Sequence, residues 1–103
     1  MPMKKCVLHI RVTGQVQGVG FRAYVKTQAD ERRILGWVRN LSDGSVEILS
    51  LVPEEQRSSW VETLRQGPAG SAVVSLDVRD LPPEEVGSRV EDFREFRIER
   101  VLE

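Results

Sequence analysis

The chain has 103 residues, 40% of them hydrophobic and 30% charged. That is enough apolar side chain for the core of a single domain spanning residues 1–103, and too much for a disordered tail. Fifteen Lys and Arg against sixteen Asp and Glu leave a net charge of −1, so the overall balance gives no electrostatic reason to expect nucleic acid or an anionic membrane as a partner. One cysteine, Cys6, and one histidine, His9, exclude an internal disulfide, a multi-cysteine metal site and a two-histidine zinc motif. No apolar run approaches the roughly 20 residues that span a bilayer. The basic start, Lys4-Lys5, is followed by His9 and Arg11 where a signal peptide needs an unbroken apolar stretch. The expectation is a soluble, cytoplasmic protein.

From Lys4 to Val12 the side chains alternate, with Cys6, Leu8, Ile10 and Val12 on one face and Lys5, Val7, His9 and Arg11 on the other. Period two with one apolar face predicts a half-buried strand. Thr13 to Gly20 holds three glycines and breaks it. Phe21, Tyr24, Val25, Gln28, Ala29 and Arg32 then recur at helical spacing, Ile34 and Leu35 close the apolar side, and Gly36 is placed to end the helix. Gly36–Leu41 and Ser45–Val52 are strand-like runs joined by Ser42-Asp43-Gly44, and Asp-Gly between such runs signals a tight hairpin.

Pro53 stops the second of these strands, and Glu54-Glu55 favour a helix start through its dipole. Trp60, Val61 and Leu64 supply that helix with a buried stripe, and Gly67-Pro68-Ala69-Gly70 ends it. Ala72, Val74, Leu76 and Val78 alternate as a fourth strand, Leu81 to Val90 reads as a polar loop around Pro82-Pro83, and Phe93 to Val101 is a last strand with Phe96 and Ile98 pointing one way. The order is βαββαβ plus a C-terminal strand. It suits an α+β, ferredoxin-like split βαβ sandwich, with two helices on one face of an antiparallel sheet.

The chemistry concentrates at Gly14-Gln15-Val16-Gln17-Gly18-Val19-Gly20-Phe21-Arg22. Glycines between a strand and a helix let successive N–H groups turn inward beside the positive end of the helix dipole, which makes a site for phosphate or carboxylate. Arg22 in the first turn opposes that dipole. The conflict disappears if an anion lies between the guanidinium and the loop amides. The glycines alone leave three readings open. One is a turn that merely needs flexible residues. Another is a dinucleotide fingerprint, which Gly18-Val19-Gly20-Phe21-Arg22-Ala23 fits in letter although the hairpin that follows argues against further βαβ units. The third is a phosphate cradle without Walker character.

Val12 to Arg22 as a string resembles the first signature of the acylphosphatase family, and Gly36-Trp37-Val38-Arg39-Asn40 followed by Gly44-Ser45-Val46-Glu47 resembles the second. The resemblance runs from Val7 to about Val78 and more loosely through the last strand. One departure is Val52, where the family usually has a glycine shortly after the second hairpin strand. The resemblance implies hydrolysis of an acyl phosphate without metal or other cofactor. It implies that Arg22 and the backbone N–H groups of Gln17, Gly18, Val19, Gly20 and Phe21 bind the phosphoryl oxygens, and that Asn40 holds the attacking water. Taken alone, Asn40 reads better as a turn residue ahead of Asp43-Gly44, and the Gln17 side chain could touch substrate or bond a neighbouring loop. Trp37 and Phe21 are expected in the core, Arg39 in solvent, Cys6 as a packed thiol and His9 on the surface.

Two other classes compete with the enzyme. One is a module that binds phosphate without hydrolysing it; acylphosphatase-like domains also occur fused to the carbamoyl-transfer enzyme of hydrogenase maturation, whose zinc-finger cysteines this chain lacks. The other is RNA binding on the open sheet face, against which stands a first strand presenting Val7, His9 and Arg11 rather than aromatic rings. The expected partner is a small acyl phosphate, with no nucleic acid and no membrane. With no large apolar patch beyond the core, the expected state is a monomer.

Overall fold

Leu8, Ile10 and Val12 are completely buried, whereas His9 and Arg11 between them remain half-exposed, so the alternation in the first strand does divide a core face from an open one. The protein is described here by a computed structural model covering residues 4–82, 85 and 93–100. Among these residues the elements run β1 (Lys5–Gln15), α1 (Phe21–Arg32), β2 (Leu35–Asn40), β3 (Val46–Pro53), a 3-10 turn (Glu54–Gln56), α2 (Arg57–Gln66), β4 (Ala72–Leu81) and β5 (Phe96–Ile98).

The sheet has the order β4-β1-β3-β2-β5. Its first four strands pair antiparallel, and β5 lies parallel to β2, with Gly36 opposite Phe96. This is the ferredoxin-like α+β fold with one strand added at the edge. α1 packs over β2 and β5, α2 over β3 and β4. Between helices and sheet lie Ile10, Val38, Ile48, Phe21, Val25, Trp60, Leu64 and Phe96, all buried. Trp60 meets Phe96 edge to face at 6.4 Å, and its indole N–H donates to the buried Ser50 hydroxyl at 3.1 Å, so the largest core side chain leaves no polar atom unsatisfied.

The pairing register decides where the loops go. β1 ends at Gln15 opposite Ala72, β3 begins at Val46 opposite Val12, and β2 ends at Asn40 opposite Val46. The connections 16–20, 41–45 and 67–71 therefore share one end of the sheet, the end where α1 begins.

Several expectations need correction. α1 ends at Arg32, not at Gly36. Arg33 takes the left-handed conformation (φ 57°), its N–H bonds the Asp30 carbonyl and that of Ile34 bonds Ala29, which is a Schellman closure made without glycine. Leu35 and Gly36 belong to β2. Gly36 is required there by close approach: a Cβ would lie 1.9 Å from the Leu49 carbonyl oxygen.

In β4 the alternation slips, because Thr13 faces Ser75 while Gly14 faces Val73 and Val74 is left over as a bulge. Val73, Leu76 and Val78 pack on the core, whereas Ala72 is exposed and Val74 is 80% exposed. β5 is only three residues long; Phe96 enters the core but Ile98, although on the same side, is 44% exposed. Most of the expected 81–90 loop, and Val101, lie outside the described residues. Val52 sits inside β3, is fully buried and faces Cys6, so it serves as a core side chain rather than a loop residue.

Two substitutions test these assignments in urea unfolding. Arg33→Gly relieves a left-handed non-glycine residue and is expected to stabilise by about 0.5–1 kcal/mol. Gly36→Ala drives a methyl into a backbone carbonyl and is expected to destabilise by about 3 kcal/mol or more.

Candidate active site

At the shared end of the sheet, α1 starts from Gly20, a left-handed residue (φ 79°, ψ 19°) that would strain any side chain. No side chain caps the helix, and its first turn holds no acidic residue. The N–H groups there carry partial positive charge, and Arg22 adds a full one. Arg22 is half-buried. Among the described residues its guanidinium makes no hydrogen bond or ion pair. The other half-buried arginines among the described residues are all engaged: Arg11 with Asp43, Arg32 with Gln28 and Thr63, Arg39 with Glu47, and Arg57 with Asp80.

Asn40, the last residue of β2, supplies the complementary anomaly. Its Oδ1 is buried and has no hydrogen-bond partner, a condition shared among the described side chains only by Gln56 Oε1, which lies past the far end of β3. A buried acceptor left without a donor costs about 1–3 kcal/mol. The turn after Asn40 is closed by Leu41 N–H to the Ser45 carbonyl at 2.9 Å and Gly44 N–H to the Leu41 carbonyl at 3.2 Å, the tight hairpin that Asp43-Gly44 predicts.

The glycine loop is tied to that turn by Gln17. Its side-chain amide donates to the Leu41 and Ser45 carbonyls, each at 2.8 Å. Of the two expectations for the Gln17 side chain, the loop-to-loop bond is the one present. Across the turn, the Asp43 carboxylate accepts from the Ser45 hydroxyl and N–H and from Arg11, and these partners, the Ser45 hydroxyl first, hold its pKa well below the usual carboxylate range. Sequence reasoning missed this brace. Its signals were Asp43-Gly44-Ser45, where an Asx turn is written out, and Arg11 on the open face of β1.

Behind the turn, on the open face of the sheet, Glu47 accepts from His9 Nε2 at 2.7 Å and from Arg39 Nε at 2.6 Å. Arg39 also stacks on Trp37, its guanidinium carbon 4.5 Å from the ring centroid. Two expectations are corrected here: Arg39 is engaged rather than free in solvent, and Trp37 lies half-buried beneath it rather than in the core. Phe21 is buried as expected, Cys6 is half-buried with its thiol against the Val52 carbonyl at 3.5 Å, and His9 is half-buried. Among the described residues no three His, Cys, Asp or Glu side chains converge as a metal site, and no helix is long and apolar enough to cross a membrane.

With that geometry in place, the acylphosphatase family model matches residues 8–98. The chain belongs to the acylphosphatase family. It is 46% identical over 71 residues to the acylphosphatase of Bacillus subtilis (strain 168), covering 69% of this chain and 78% of that protein. The crystal structure of acylphosphatase from Bacillus subtilis superposes with a TM-score of 0.79 at 38% identity, covering 91% of this chain and 98% of that one. Full-length HypF, in its phosphate- and nucleotide-bound form, superposes at TM-score 0.82 over 98% of this chain and 13% of its own length; at 23% identity that likeness shows the fold alone. The protein is accordingly a hydrolase acting on acid anhydrides. The match extends past Val78 into the last strand, further than the sequence motifs carry.

Glu47 gives this site a pH signature. Burial penalises its charge, but the hydrogen bonds from His9 and Arg39 outweigh that and lower its pKa. The carboxylate therefore contributes stability in full above the ordinary glutamate range, about pH 4–5, and loses it as pH falls through the lower native value. Its side chain is only 15% exposed, so screening is modest. Glu47→Gln is expected to cost about 2 kcal/mol in urea unfolding at pH 7, with the difference between wild type and variant shrinking as pH falls below the ordinary glutamate range.

Proposed function

We propose that the protein hydrolyses an acyl phosphate to the carboxylate and inorganic phosphate. In this reading Arg22 and the N–H groups of Gln17, Gly18, Val19, Gly20 and Phe21 hold the phosphoryl oxygens, and Asn40 positions the attacking water. The observation that carries it is the matched pair of anomalies at one end of the sheet: the one half-buried arginine without a partner among the described residues, and a buried amide oxygen without a donor. A phosphoryl group and a water supply what both lack.

An acyl phosphate is a mixed anhydride whose carboxylate leaves readily, so no general acid is needed at the leaving oxygen. What remains is to hold the phosphoryl group, offset its charge and bring water in line with the breaking bond. The guanidinium can grip two phosphoryl oxygens at once, and the uncapped start of α1 adds backbone donors that cost no reorganisation. Asn40 Oδ1 accepts one hydrogen of the water and directs the oxygen lone pair at phosphorus, while its N–H can donate to the phosphoryl group. The new bond joins the water oxygen to phosphorus, the bond from phosphorus to the acyl oxygen breaks, and the water proton passes to a phosphate oxygen. The products are a carboxylate and dihydrogen phosphate, which gives up a proton to solvent at neutral pH.

Phosphate release from a small acyl phosphate tests this, with and without a chelator. Arg22→Ala and Asn40→Ala are each expected to lower turnover by roughly a hundredfold, as removal of one transition-state donor does elsewhere. Phosphate binding seen by calorimetry at Arg22 without hydrolysis in the wild type would instead identify a binding module.

A further inference from the structure

We infer that Gln17 is a positioning residue for Asn40, setting the distance between the amide cradle and the water-holding carboxamide; this rests on the reaction proposed above. Gln17 stands in the loop that carries the backbone donors Gly18 to Phe21, and its side chain reaches across 24 residues of sequence to the Leu41 carbonyl and across 28 to that of Ser45. Those two carbonyls flank Asn40 on both strands. Leu41 follows Asn40 at the end of β2, and Ser45 precedes Val46, the residue paired with Asn40 across the sheet.

One side-chain amide has two hydrogens, and Gln17 commits one to each carbonyl. It keeps no side-chain donor for a phosphoryl oxygen, and the oxygen that remains would repel one. Its side chain therefore does not bind substrate directly. Neither carbonyl is idle: Ser45 also accepts from Leu41 N–H, and Leu41 from Gly44 N–H. Gln17 thus fastens the loop to the two bonds that close the turn. Arg11 and Asp43 brace the same turn through their own ion pair and through Ser45. The turn is fixed by that brace, and Gln17 transfers its position to the cradle. In-line attack is sensitive to this spacing, since a displacement of about 1 Å between reacting groups can cost on the order of a hundredfold in rate.

The test is a double-mutant cycle on phosphate release from a small acyl phosphate, with Gln17→Ala in the wild-type and Asn40→Ala backgrounds. The nearly isosteric Gln17→Glu, which turns a carboxylate toward two carbonyls, is measured alongside. Both Gln17 variants are expected to lower kcat by about tenfold or more with KM changed less than about threefold. In the Asn40→Ala background the same change is expected to shift kcat by less than about twofold, because no aimed water remains to be misplaced. Equal fold-losses in the two backgrounds would overturn the inference. So would a raised KM at unchanged kcat, which would make Gln17 a substrate ligand, or failure of both variants to fold, which would make it a folding residue only. If the wild type releases no phosphate, or Asn40→Ala leaves kcat intact, the parent reading falls instead. Loss in Asn40→Ala with no loss in Gln17→Ala overturns this inference alone.

Discussion

The start of α1 gathers donors: backbone N–H groups that no side chain caps, and the Arg22 guanidinium in the same turn. In most helices an N-cap hydroxyl or carboxylate relieves such a terminus, and acidic residues in the first turn add to the effect. Here the field is relieved by no side-chain cap and by no acidic residue in the first turn, which destabilises the isolated helix. The helix persists because its buried stripe of Phe21, Val25 and Ala29 packs over β2 and β5, and because Lys26 ties it to the edge strand through the Phe96 carbonyl at 3.0 Å. Tertiary packing thus maintains an electrostatic imbalance that an anionic ligand can resolve.

How much of this could be read from the letters depends on which face a residue serves. β1 reads correctly because one side faces the core and the other faces water, so polarity records its orientation. β4 does not, because the leftover Val74 shifts the period and puts a valine where the pattern has a core position. Gly36 looks like a helix terminator by type, and only the approach of the Leu49 carbonyl shows why a side chain is excluded. Arg39 and Trp37 were misassigned for a related reason. Glu47 is brought opposite Arg39 only by the pairing of β2 with β3, and Arg39 then covers Trp37, two residues away on the same face of β2.

The site divides in the same way. Arg22 and Asn40 stand out because two spaced signatures contain them, and the structure adds that, among the described residues, the Arg22 guanidinium and Asn40 Oδ1 each lack a partner. The Gln17 side chain remained undecided in sequence because its direction depends on two carbonyls more than twenty residues away. The Arg11–Asp43–Ser45 brace was hidden by the ordinariness of its parts, since a charged residue on an exposed strand face and an Asp in a turn both have unremarkable explanations.

Among the described residues β4 is the outermost strand at one side of the sheet, ten residues long, and such an edge offers a row of backbone groups to a neighbouring chain. The leftover residue at Val74 breaks the regular spacing of that row near its beginning, and Asp77, Arg79 and Asp80 place charges along the rest. A foreign strand docking there would find its ladder interrupted and would have to bring ions into register or strip them of water. The irregularity that defeats simple pattern-reading is thus also of the kind that makes a sheet edge a poor template for strand addition.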